Sequence, residues 1–367
     1  MTACSHGRIA DIEILRAVAI ICVLIEHSFF NLVFDEAWLA HFLAHVPLWC
    51  GVDLFFAISG FVVTRQLLPM FAQTLPAARV LPRFWIARAF RLWPAAWGWL
   101  ALIIVGSMIF VQPAFLGTLK LNLAGARAGV FGFANFRFAH GFLQPYGASY
   151  PYWSLSLEEQ FYVLLPFLML IARKFLVPIV AAFLLIQFPL PHPRLYFFLR
   201  NDGLLWGVLL AACPALLTLA ASFCGVIRRV PAGGWIVLFS VLYVMTQLSP
   251  PFEQSPGFLL GSLAVCAAIL VALAAADMDI FHAGPLQPVL LWFGSRSYAL
   301  YLCHVPIYQC SAAWSHSLPM IDPIFRGHID ARSCAICLIL LPLAAELTRR
   351  LLEEPLRRTG RRLAHAI

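Results

Sequence analysis

Apolar runs of about twenty residues recur along the chain, separated by short segments rich in arginine, proline or glycine. A helix needs roughly 20 such residues to cross a bilayer. Ten stretches fit: residues 12–34, 48–70, 93–112, 153–172, 175–190, 203–221, 233–249, 257–276, 288–311 and 333–352. The fifth is short and ends in PLPHP. Residues 115–147 are apolar but interrupted by Lys120, Arg127, Arg137 and several glycines, and read as a long external loop that re-enters the membrane or lies on it. The pattern predicts an all-α integral membrane protein of about ten transmembrane helices.

Composition agrees. The chain is 62% hydrophobic and 11% charged, with mean hydropathy +0.85, whereas soluble domains carry about 25% charged residues. The net charge of +8 is almost all arginine, Lys120 and Lys174 being the only lysines. In a soluble chain that balance would point to nucleic acid; here it points to cytoplasmic loops and anionic headgroups. With the N terminus inside, sixteen Lys and Arg residues fall in inner segments and seven in outer ones, so both termini are expected in the cytoplasm. Residues 353–367 then form a basic cytoplasmic tail. No polar stretch is long enough to fold as an appended soluble domain, no cleavable signal peptide is evident, and residues 1–367 read as a single membrane domain. No internal repeat supports a transporter of two related halves. The ten cysteines do not read as a disulfide framework: five lie in apolar spans, and the Cys334/Cys337 CxxC lacks a second pair. The scattered histidines give no metal-ligand spacing.

Against this background the ionisable residues inside spans stand out, since such groups are costly and face a bundle interior or a watered cavity. Arg16 and His27 are eleven residues apart, almost three turns, and so share a helix face about 16 Å apart along the axis. His27 serves either as a polar contact between helices or as a reactive group. Glu26 sits beside it, and His41 and His45 occupy the following loop. Asp53 stands near the outer end of the second span, and Ser59–Gly60 read as helix packing. In RFWIARAFRLWP, Arg88 and Arg91 share a face with Arg83 just upstream, and Pro94 marks a first turn or kink. These arginines are either a positive-inside anchor or a site for an anionic group such as phosphate. In YWSLSLEEQFYVLLP, Ser154 or Ser156 can cap a helix whose first turn holds Glu158 and Glu159. Arg200 and Asp202 read as a local ion pair. Tyr298, Tyr301 and His304 are polar groups in the ninth span, Tyr301 and His304 sharing a face.

Five stretches in this order resemble the membrane-bound acyltransferase 3 family, which includes bacterial O-acetyltransferases of surface polysaccharide and lipopolysaccharide. They are LRAVAIICVLIEH, GVDLFFAISGF, RFWIARAFRLWP, YWSLSLEEQFYVLLP and SYALYLCHVPI, and RNDGLLWGVLLA and EEPLRR look similar too, so that residues 9–358 are covered. The resemblance implies an inner-membrane enzyme with ten helices. It implies an acyl-CoA co-substrate, usually acetyl-CoA, bound from the cytoplasm, and an acceptor hydroxyl on a sugar or lipid-linked carbohydrate. It implies neither a permanently bound cofactor nor a nucleic-acid partner. Carried over, His27 is the catalytic histidine with Arg16 as its partner, Glu158 the fourth-span glutamate, and Arg83, Arg88 and Arg91 the donor-binding arginines. His304 matches a late histidine, and with Tyr301, Asp53 and Glu159 makes a candidate second polar site. Glu26 departs from the motif and is expected to shift the histidine if it faces the same cavity.

The residue types suit acyl transfer. A base must take the hydroxyl proton as the thioester carbonyl is attacked, and imidazole titrates near neutrality. His27 is a candidate for that base or for a transient acyl carrier. The rival readings are a small-molecule acyltransferase, for example for a macrolide, and a transporter or flippase of a lipid-linked sugar.

Overall fold

The computed structural model describes residues 9–32, 46–72, 77–110, 116–140, 146–190, 200–248, 257–276, 278–317 and 331–366. Every regular element among them is helical. In chain order these are α1 Ala10–Leu32, α2 Gly51–Ala72, α3 Ala77–Ile109, α4 Leu119–Val130, α5 Ala134–His140, α6 Tyr152–Ala172, α7 Leu176–Gln187, α8 Asp202–Ala212, α9 Pro214–Ile227, α10 Gly233–Gln247, α11 Gly257–Ala275, α12 Gln287–Ser295, α13 Ser297–Ser317, α14 Ala331–Thr348 and α15 Glu354–Ala366. His41, His45 and most of the PLPHP segment lie outside the described residues.

Among the described residues, four helices are long and apolar enough to cross a membrane by themselves: Leu48–Ala72, Arg79–Ile109, Tyr152–Gln187 and Phe258–Ala275. Their outward faces are apolar; Ile171 is 82% exposed and Leu185 75%. Such surface has no place in water and marks a multi-pass membrane protein.

Several predicted spans are built differently. The fourth and fifth are one rod, joined by a tight turn at Arg173–Phe175. The sixth breaks where α8 meets α9, at an angle of 89°. Pro214 forces this, because the residue before a proline is driven out of the helical region, and Cys213 has φ −119° and ψ 90°. The ninth divides at Arg296 into α12 and α13. The third is longer than expected: α3 begins well before Pro94 and holds Arg79, Arg83, Arg88 and Arg91 within one helix. Its 33 residues span about 50 Å, well beyond a hydrocarbon core of about 30 Å. Residues 116–140, read from the sequence as part of a long external loop, form two helices against α3 and α6, pinned by buried Asn122, which donates to the Ser107 hydroxyl and the Leu116 carbonyl, both at 2.7 Å.

Helices α1, α2, α8, α11 and α13 form the centre of the bundle, and α12 lies against α1. Small residues bring their backbones together. A Cβ at Gly60 would stand 2.1 Å from the Leu204 carbonyl oxygen of α8, and one at Gly294 would stand 2.0 Å from the Glu13 carbonyl oxygen of α1. The second contact brings α12 against the start of α1, where Glu13 and Arg16 project. Arg200 is not paired locally with Asp202. It grips Asp53 of α2 through two bonds of 3.0 Å, with Trp49 and Trp153 rings at 4.9 and 5.3 Å, while Asp202 accepts from Gln187 at 2.6 Å.

Candidate functional site

Two histidines far apart in sequence meet where α1 packs on α13. His27 Nδ1 lies 2.7 Å from His304 Nε2, with the rings nearly parallel. His304 is fully buried, and its Nδ1 lies 2.8 Å from the Tyr301 carbonyl oxygen and 3.2 Å from that of Leu300. Tyr150 meets the His27 ring edge-on at 5.3 Å, and Tyr308 meets His304 at 5.9 Å. Glu26 does not join them. Its carboxylate accepts the Leu48 backbone N–H at 2.8 Å and so ties α1 to the turn leading into α2.

Next to this pair lies a cavity of about 1190 Å³, its open mouth included, between α1, α2, α3, α6 and α13. Arg16, Arg88, Arg91 and Arg357 line it together with Glu13, Glu158, Glu159 and Glu353. Arg16 is held by Glu13, one turn earlier, at 3.0 Å. Arg88 is 6% exposed and lies over the Tyr162 ring at 4.9 Å, yet its Nε and Nη2 donors have no hydrogen-bond partner. The Tyr162 hydroxyl donates in a short bond to Glu158, which also accepts from Ser59 at 3.1 Å. Glu159 points elsewhere and accepts the Trp93 indole N–H at 3.2 Å. Tyr301 also lines the cavity. Its hydroxyl donates to the Pro151 carbonyl at 3.1 Å and its ring lies 5.6 Å from that of His304. His27 and His304 are not among the lining residues.

The structure therefore gathers Arg16, Arg88, Arg91, Glu158, Glu159 and Tyr301 around one cavity, with the His27–His304 pair adjoining it through the Tyr301 ring. Arg83 does not reach the lining. His304, Tyr301, Asp53 and Glu159 are not a separate second site: His304 joins His27, Tyr301 and Glu159 line the cavity, and Asp53 is consumed by Arg200. Neither serine caps α6. Ser154 bonds Tyr301 at 2.7 Å, Ser156 accepts from the Ala134 N–H at 3.1 Å, and α6 starts at Tyr152, which puts both glutamates past its first turn. Sequence reasoning missed Ser59, Tyr162, Glu13, Glu353 and Arg357 as lining residues. Tyr162 was within reach, since it stands four residues after Glu158 and shares its face; the others depend on how helices meet.

Residues 9–344 match the acyltransferase domain family. The chain belongs to the membrane-bound acyltransferase 3 family. This acyltransferase 3 chain is 26% identical over 382 residues to the "Putative peptidoglycan O-acetyltransferase YrhL" of Bacillus subtilis (strain 168), covering 97% of this chain and 56% of that protein. It is 27% identical to the "O-acetyltransferase OatA" of Staphylococcus aureus (strain NCTC 8325 / PS 47), covering 94% and 57%. It is 28% identical to the "Peptidoglycan O-acetyltransferase OatA" of Listeria monocytogenes serovar 1/2a (strain ATCC BAA-679 / EGD-e), covering 98% and 57%. The acyltransferase 3 chain thus spans just over half the length of these curated relatives. No solved structure matches it.

Proposed function

We propose that this chain is an O-acyltransferase of the bacterial inner membrane, with about ten spans and cytoplasmic termini. It would move an acetyl group from acyl-CoA, bound from the cytoplasm, to a hydroxyl of a surface polysaccharide such as peptidoglycan. The observation that carries the reading is the arginine-lined cavity whose lining includes Tyr301, with His304 against that ring and His27 bonded to His304. The peptidoglycan acceptor is the one named for two of the relatives.

Each part has a task in this reading. Arg88 offers buried donors without partners, and with Arg16, Arg91 and Arg357 it matches the phosphates of a CoA ester. The Ser59–Tyr162–Glu158 network holds a carboxylate near Arg88 and keeps the guanidinium aimed. The acyl-bearing arm extends toward Tyr301. His27 takes the proton of the acceptor hydroxyl as its oxygen attacks the thioester carbonyl. The C–S bond then breaks, and His27 returns the proton to the leaving sulfur, leaving an ester and free thiol.

Acetyl-CoA titration on the purified protein in nanodiscs tests this, with dephospho-CoA as a control. Saturable binding that weakens in Arg88→Ala/Arg91→Ala, with acetyl transfer lost in a folded His27→Ala variant, is the expected result. A folded protein that ignores millimolar donor would end the acyltransferase reading and favour transport.

A further inference from the structure

We infer that His304 is a positioning residue that sets the tautomer of His27, so that the lone pair of His27 is on Nε2 and its proton on Nδ1. A neutral imidazole carries one N–H and one lone pair. His304 Nδ1 faces two backbone carbonyl oxygens of its own helix, at 2.8 and 3.2 Å. Carbonyl oxygens only accept, so this nitrogen carries the proton. His304 Nε2 is then a lone pair, and at 2.7 Å it requires a donor from His27 Nδ1. The opposite tautomer of His27 would set two lone pairs against each other at that distance inside a buried contact. A cationic His304 would place an ion at a site with no solvent exposure at all. With His27 neutral, one arrangement remains: Leu300 and Tyr301 carbonyls, His304 Nδ1–H, His304 Nε2, His27 Nδ1–H, His27 Nε2.

The lock is local to α13, because residues three and four positions earlier supply both carbonyls. It needs no ligand and is in place before substrate arrives. It also acts during the reaction. When His27 Nε2 takes a proton the ring becomes cationic, and its Nδ1–H bond to His304 becomes charge-assisted and stronger. The same logic orients the base of a serine-protease triad, where a carboxylate does the accepting; here a neutral imidazole does it. Nothing in this assignment depends on Asp53 or Glu26, both engaged elsewhere.

The functional weight of this inference rests on the reading of His27 as proton acceptor; its structural part does not. The test is ¹⁵N NMR of histidine-labelled wild type in nanodiscs, with His27 resonances identified by their loss in His27→Gln. A pyrrole-type Nδ1 and a pyridine-type Nε2 on His27 are expected, and the reverse pattern overturns the inference. His304→Gln, whose amide oxygen reaches the position of Nε2, should keep the tautomer and most of kcat. His304→Leu should lose both, with kcat falling at least about tenfold and KM for the donor unchanged. A His304→Leu variant that keeps kcat and the wild-type tautomer would also overturn it. If the spectra show the expected tautomer and the wild type transfers no acyl group, the lock stands and the acyltransferase reading fails.

Discussion

Replacing Arg88 should separate binding from stability. The guanidinium is 6% exposed and has two donors without partners. Each buried unsatisfied donor costs about 1–3 kcal/mol. Against this stand cation–π contacts to Tyr162 at 4.9 Å and Phe84 at 5.7 Å, worth about 2 kcal/mol when desolvated. Arg88→Met keeps the apolar stem, gives up those contacts and relieves the orphaned donors, so the ligand-free protein should be as stable as wild type or slightly more so. The same change removes a charge-assisted hydrogen bond to a donor phosphate, worth about 1.5–3 kcal/mol, which is about a 10- to 150-fold loss of affinity. Thermal unfolding in nanodiscs without ligand and acetyl-CoA titration on the same sample measure the two effects. A variant that melts well below wild type yet binds donor normally would refute the reasoning, because Arg88 would then be a structural cation rather than a prepared anion site.

Three further outcomes follow from packing and charge. Asp53→Asn removes the carboxylate that buried Arg200 grips and should destabilise the protein by about 3–5 kcal/mol, seen as a large fall in Tm; a shift within error would show that this ion pair does not hold α2 in place. Gly60→Ala places a methyl 2.1 Å from the Leu204 carbonyl oxygen and should cost about 1–3 kcal/mol by pushing α2 from α8, whereas Gly225→Ala, whose methyl meets nothing within 4 Å, should be neutral. Burial pushes the Glu353 carboxyl, in the widened turn between α14 and α15, up to about 7. The folded state therefore binds an extra proton between its ordinary value of 4.5 and about 7, so stability falls as pH rises through that window. The slope of Tm against pH there should be shallower in Glu353→Gln, and an unchanged slope would contradict the assignment.

Much of the membrane character could be read from the chain alone. Long apolar runs have one stable fate in a bilayer, the hydrogen-bonded helix, and that depends on local composition. The order of short motifs pointed to the family, and the spacing of Arg16 and His27 put both on one face of α1. Helix ends were less legible. The breaks at Cys213 and Arg296 and the early start of α3 turn on backbone angles and neighbours that hydropathy does not register. The site's composition was partly legible, since Arg88, Arg91, Glu158 and His304 stand out as polar residues in apolar surroundings. Their partnerships were not. Whether Asp53 meets Arg200, whether His27 meets His304 across 277 positions, or whether Ser59 packs or bonds depends on which helix faces which. That choice is made by close backbone contacts such as Gly60 on Leu204 and Gly294 on Glu13, between residues remote in sequence. The sequence by itself determined that the long apolar runs become helices and which polar residues they carry; only the tertiary structure decided who meets whom, because pairing between helices is a property of the assembled bundle and not of any one stretch.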